Sequence, residues 1–115
     1  MKKTLLTAIV VLLFAAAGSA QQHFSADDFK KNLGKTGTLC DTVYSLKIFS
    51  DTLTLLNMGG IYPNQKYTIA IRGNRITLPW DKLKGKPLCV TGVFEMYKGR
   101  PEIEIDDPQR INVSK

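Results

Sequence analysis

The chain has 115 residues, with 16 Lys and Arg against 10 Asp and Glu, two cysteines and one histidine, for a formal net charge of +6. That length holds one small domain, and so mild a basic excess excludes a histone-like or polybasic protein while still favouring anionic partners. Two cysteines and one histidine cannot fill a tetrahedral zinc site without carboxylates, and the single His23 near the start leaves a serine or cysteine triad without its base.

Residues 1–20 have the layout of a secretory signal peptide: Met1-Lys2-Lys3, an apolar run from Leu5 to Ala17, then the small residues Gly18-Ser19-Ala20. The apolar run is short for a membrane span. Cleavage after Ala20 leaves 115 − 20 = 95 residues, and loss of Lys2 and Lys3 takes the charge to 14 − 10 = +4. No cysteine follows the cleavage site, so the expected product is periplasmic or secreted and carries no membrane anchor. In an oxidising compartment Cys40 and Cys89 are read first as a disulfide, with two free structural thiols as the alternative.

Residues 21–34 form a tail with a short helix expected over 25–33. Ser25 stands at its N-cap, Asp27 and Asp28 in its first turn and Gly34 as its stop, with Phe24, Phe29 and Leu33 as the buried stripe. Residues 35–115 then read as a β domain, rich in Thr, Val, Ile and Tyr and punctuated by Gly, Asn, Asp and Pro. Strands are expected over 36–47, 51–58 and 66–72. In the third, Tyr67, Ile69 and Ile71 share the inner face and Lys66, Thr68, Ala70 and Arg72 the outer one. Residues 75–85 are a connector with a helical turn near 80–84, where Trp80 caps one end of the domain. A fourth strand over 86–97 and a fifth over 101–105 follow, then an extended piece after Asp107-Pro108.

Five strands with a connector between the third and fourth is the order of an all-β, five-stranded OB-fold barrel. The runs Gly85-Lys86-Pro87-Leu88-Cys89-Val90-Thr91-Gly92 and Tyr97-Lys98-Gly99-Arg100-Pro101-Glu102-Ile103 resemble the last two strands of bacterial OB-fold domains of the tRNA anticodon-binding-like, nucleic-acid-binding group. Leu39-Cys40, Asn57-Met58-Gly59 and Tyr62-Pro63-Asn64-Gln65 are similar to segments of small exported bacterial proteins of this type. The likeness covers about residues 35–113. It implies that the first strand lies antiparallel to the fourth. Leu39 and Val43 share one phase, as do Leu88 and Val90, so both cysteines point outward from neighbouring strands and a structural disulfide is expected. Gly92 would admit a bulge or a close backbone approach.

The resemblance also implies that ligand meets the second and third strands together with the one–two and four–five loops. On this sequence those positions hold Lys47 and Phe49, Lys66 and Arg72, and Tyr97, Lys98 and Arg100. Cations suit phosphates and aromatic rings suit bases, so single-stranded nucleic acid or another anionic polymer is the expected partner. Each residue also has a plain reading: a soluble hairpin turn at 98–100, solvated charges at Lys66 and Arg72, core packing at Phe49. The outer phase of the third strand offers no aromatic residue. Glu102 and Glu104 share a face and read as a solvated edge strand, or as a weak site for a hard cation. No catalytic constellation and no cofactor or phosphate-loop motif is present, so the expected function is non-catalytic binding. A protein-interaction or stress-related accessory domain without nucleic-acid binding is the alternative.

Overall fold

The computed structural model describes residues 23–114, so the expected signal peptide lies outside the described residues. The architecture is all-β: a single seven-stranded sheet in the order β5-β6-β3-β2-β1-β4-β7. The strands are β1 (Thr36–Ser50), β2 (Leu53–Met58), β3 (Tyr67–Arg72), β4 (Pro87–Val93), β5 (Glu95–Tyr97), β6 (Arg100–Ile105) and β7 (Ile111–Val113). The hydrogen-bonded ladder ends at β5 on one side and β7 on the other. The sheet is thus not closed by hydrogen bonds into the expected five-stranded barrel, and two further differences from the five expected strands are local. The expected fourth strand breaks at Phe94 into β4 and β5, and the extended piece after Pro108 pairs with β4 as β7.

The long first strand organises the sheet. Thr36 to Thr42 pairs antiparallel with β4, while Val43 to Ser50 pairs with β2. The register shifts between Val43 and Ser45, where the strand passes from one partner to the other. Such a shift bends the strand and increases local twist. β2 pairs antiparallel with β3, β3 pairs parallel with β6, and β5 and β6 form a hairpin. Its two-residue turn is Lys98-Gly99, with φ of 51° and 79°. Positive φ at both central residues is the type I′ pattern, whose twist matches that of the flanking strands.

No α-helix occurs among the described residues. The helix expected over 25–33 is instead two 3-10 turns, Ala26–Asp28 and Lys30–Asn32. Each is closed by i to i+3 bonds such as Asp28 N to Ser25 O (3.0 Å) and Asn32 N to Phe29 O (3.1 Å). Ser25 donates from its backbone N and its Oγ to Asp28 Oδ2. A segment this short has little helical stability of its own, so tertiary contacts choose its geometry. The contacts here are aromatic. Phe29 stacks on Phe94 with centroids 4.6 Å apart, and Phe24 meets the same ring edge-on at 5.3 Å. Leu33, placed by sequence in the buried stripe, is exposed.

The core lies on the inner face. Tyr67, Ile69 and Ile71 of β3 are buried against Leu39, Leu56 and Ile103. The Tyr67 hydroxyl is buried without a hydrogen-bond partner, and burial, with Asp41 nearby, pushes its pKa far above the ordinary value. Trp80, at the start of a 3-10 turn in the connector, packs partly buried against this core. Cys40 and Cys89 are directly opposite each other on β1 and β4 and are joined by a disulfide, with Cα atoms 4.0 Å apart. Both cysteines point away from the core, on the side the strand phases indicate.

Candidate functional site

The outer face of β1, β2, β3 and β6 carries a groove of about 730 Å³. Strand alternation and register build its floor. Ser45 faces Asn57, Asn57 faces Thr68 and Thr68 faces Glu102, so four polar side chains form one row across four strands. Asn57 Nδ2 donates to Ser45 Oγ (3.0 Å), Thr68 Oγ1 donates to Asn57 Oδ1 (3.4 Å) and Gln65 Nε2 donates to Thr68 Oγ1 (3.2 Å). Leu53 and Leu55 supply the apolar part of the same face.

The loop between β2 and β3 forms one wall. Its ends are drawn together by Lys66 N donating to Met58 O (2.9 Å), and Asn64 N donates to Ile61 O within it. This loop carries Tyr62, preceding a cis proline, and Gln65 into the groove. The β5–β6 turn lies beside this loop, at the same end of the sheet, and brings Tyr97, Lys98 and Arg100. The far end of β1 contributes Lys47 and Phe49.

Three exposed aromatic rings line this groove and each has a cation over it. Lys47 Nζ lies 4.9 Å from the Phe49 centroid, Lys98 Nζ 5.4 Å from that of Tyr97, and the Arg100 guanidinium 5.0 Å from that of Tyr62. A cation within about 6 Å of a ring face is attracted to its π electrons. The pairing holds rings and charges side by side at the surface. Phe49, Tyr62 and Tyr97 are all about half exposed.

Six of the seven sequence-derived positions therefore meet in one groove: Lys47, Phe49, Arg72, Tyr97, Lys98 and Arg100. Lys66 is the exception. It precedes β3, and its stem packs over Gly59, where a Cβ would lie 2.9 Å from Lys66 Cδ. Lys47 and Phe49 sit on β1 rather than in a loop, because β1 runs on to Ser50. Arg72 lines the groove but is engaged, its Nε 2.9 Å from Glu104 Oε2.

The reading of Glu102 and Glu104 as a solvated edge is corrected for the strand's place in the sheet and for Glu102, whereas Glu104 is exposed as expected. β6 lies between β3 and β5, so it is no edge, and Glu102 is only 7% exposed. Burial is the main cause that raises the Glu102 pKa above its ordinary value; Glu104 and Glu95 add to it and Arg72 opposes it. The reading of β3's outer phase as bare of aromatics holds for the strand itself, but the rings arrive from elsewhere. Sequence reasoning singled out neither Tyr62, Gln65, Asn57, Ser45 nor Thr68 as site residues. Their only common signal is the period-2 phase of Ser45, Asn57 and Thr68, which is visible only once the register is known.

Among the described residues, no three His, Cys, Asp or Glu side chains are grouped to hold a metal ion. No helix among them is long and apolar enough to cross a membrane. No family model matches the chain, and no curated protein matches it.

Proposed function

We propose that the protein is an exported, non-catalytic binding module of OB type, whose ligand is single-stranded nucleic acid lying along the groove. The observation that carries this reading is the set of three ring–cation pairs lining one groove, Phe49 with Lys47, Tyr97 with Lys98 and Tyr62 with Arg100. Rings that accept stacked bases beside cations that meet phosphates are what a single-strand platform needs. A polyanion without bases would use the cations and leave the rings idle, so the aromatic complement favours nucleic acid over a sulfated polymer.

The OB assignment draws support from connectivity: β1 shared between β2 and β4, a parallel β3–β6 pair and the β5–β6 hairpin. OB barrels use the strand two–three face and the hairpin loops for oligonucleotides, and the groove occupies the corresponding surfaces. Export draws support from the disulfide, which persists in oxidising compartments.

The test is fluorescence anisotropy of labelled single-stranded DNA and RNA with the oxidised protein, across a range of salt and with dextran sulfate as competitor. The informative variant combines Lys98→Asn with Arg100→Ala. Asn followed by Gly99 suits a type I′ turn, so the charge is removed without disturbing the hairpin. The expected loss of affinity is about 10- to 100-fold, with a shallower salt dependence as about two phosphate contacts disappear. Unfolding stability should stay within about 0.5 kcal/mol of the parent. Undiminished binding by the variant would remove the turn from the site. Absence of binding by the parent at low salt would favour the protein-interaction alternative.

A further inference from the structure

We infer that the groove floor is a base-reading site that selects guanine, through the Glu102 carboxylate and Gln65 Oε1. This rests on the single-strand reading above and adds what that reading lacks, a preference among bases. The rim explains affinity for any base, since every base has a π face. Gln65 donates to Thr68, Thr68 donates to Asn57 and Asn57 donates to Ser45, a chain that leaves two acceptors of the floor outside it. Gln65 Oε1 is buried and has no hydrogen-bond partner. Glu102 lines the same groove, is more than nine-tenths buried, and makes no side-chain hydrogen bond or ion pair among the described residues.

The Glu102 carboxylate has no protein partner among the described residues, so it is free to accept hydrogen bonds from a ligand. The charged groups nearest it do not supply a partner. Glu104 is committed to Arg72, and Glu95, opposite Glu102 on β5, carries the same sign. The floor therefore presents a free carboxylate whose two oxygens suit adjacent N–H donors of a ligand. Among the bases, guanine alone carries two neighbouring donors, N1–H and the 2-amino group, which match the two oxygens of a carboxylate. Adenine and cytosine offer one amine beside a ring acceptor, and thymine and uracil offer one N–H between two carbonyls. Each of these sets a lone pair against a carboxylate oxygen. The O6 and N7 acceptors of guanine remain free for the rim cations, in keeping with the preference of Arg and Lys for that edge.

The test uses oligothymidylates of about a dozen nucleotides, within the site size of such folds, carrying one central guanine, inosine, adenine, cytosine or thymine. Anisotropy titrations compare the parent with Glu102→Gln. The parent should bind the guanine strand about 10-fold more tightly than the all-thymine strand. Inosine, which keeps N1–H but lacks the 2-amino group, should lose most of that gain. Glu102→Gln removes a buried charge, so it is expected to fold, and circular dichroism checks this. With one amide donor and one acceptor it should lose the guanine preference and favour adenine. Equal binding of all five strands by the parent overturns the inference and leaves the single-strand reading standing. Binding of none overturns both. A guanine preference that survives Glu102→Gln, or that inosine shares in full, shows that the carboxylate is not the reader and also overturns the inference.

Discussion

At Glu102 register and solvation make opposing demands. Alternation along β6 sends Ile103 and Ile105 into the core and turns Glu102 to the outer face, where a charge would ordinarily be hydrated. The loop carrying Tyr62 and Gln65 and the 97–100 turn wall in that face, so the carboxylate is desolvated and its pKa is raised, chiefly by burial. A carboxylic acid with a raised folded-state pKa binds its proton more tightly folded than unfolded. Its contribution is therefore favourable at low pH and is lost as pH rises from the ordinary carboxylate value through the raised one. Carboxylates elsewhere add their own slopes, so the useful quantity is the difference between parent and Glu102→Gln. Urea midpoints from about pH 4 to about pH 7 should show the variant gaining on the parent as pH rises. Parallel curves would mean that Glu102 is hydrated in solution and that the floor is open.

At the scale of the strand, the break between β4 and β5 lets the hairpin leave the line of β4 and wall the groove. Its neighbourhood is crowded. A Cβ on Gly92 would lie 2.6 Å from Ile103 Cγ2, a side chain that is itself fully buried. Gly92→Ala should therefore cost about 1–3 kcal/mol by overpacking, read as a lower denaturation midpoint at unchanged m-value. An unchanged midpoint would mean that β4 and β6 do not approach so closely. Gly92 was legible in the sequence as a glycine inside a strand pattern. So were the inner phase of β3, from the alternation of Tyr67, Ile69 and Ile71, and the outward phase of both cysteines. The tail was less so. Ser25, two acids and Gly34 punctuate a helix and a pair of 3-10 turns alike, and the choice falls to Phe94, which is remote in sequence. The site divided in the same way. Residues on strands and hairpin turns carry local signals, whereas Tyr62 reaches Arg100 only through tertiary folding. The solvated reading of Glu102 failed because nothing local says that β6 has a neighbour on each side.

At the scale of the whole molecule, the disulfide spans the two functions of β1. Cys40 lies in the part of β1 that pairs with β4, and the 49-residue separation to Cys89 takes in β2 and β3, which supply part of the groove floor, as well as the connector. Closing a loop of that length removes unfolded-state entropy worth about 4 kcal/mol in the chain-entropy account. That is a large fraction of the stability of a domain this small. Cys40→Ala with Cys89→Ala should therefore lower the melting temperature by roughly 15–30 °C. Neither cysteine lines the groove. Well below its own melting point, the variant should bind single-stranded nucleic acid within about twofold of the parent, as expected for a link that acts mainly on the unfolded chain. Loss of affinity in a sample still folded by circular dichroism would instead show that the bridge holds the sheet curvature on which the groove depends, and would make the groove itself redox-sensitive.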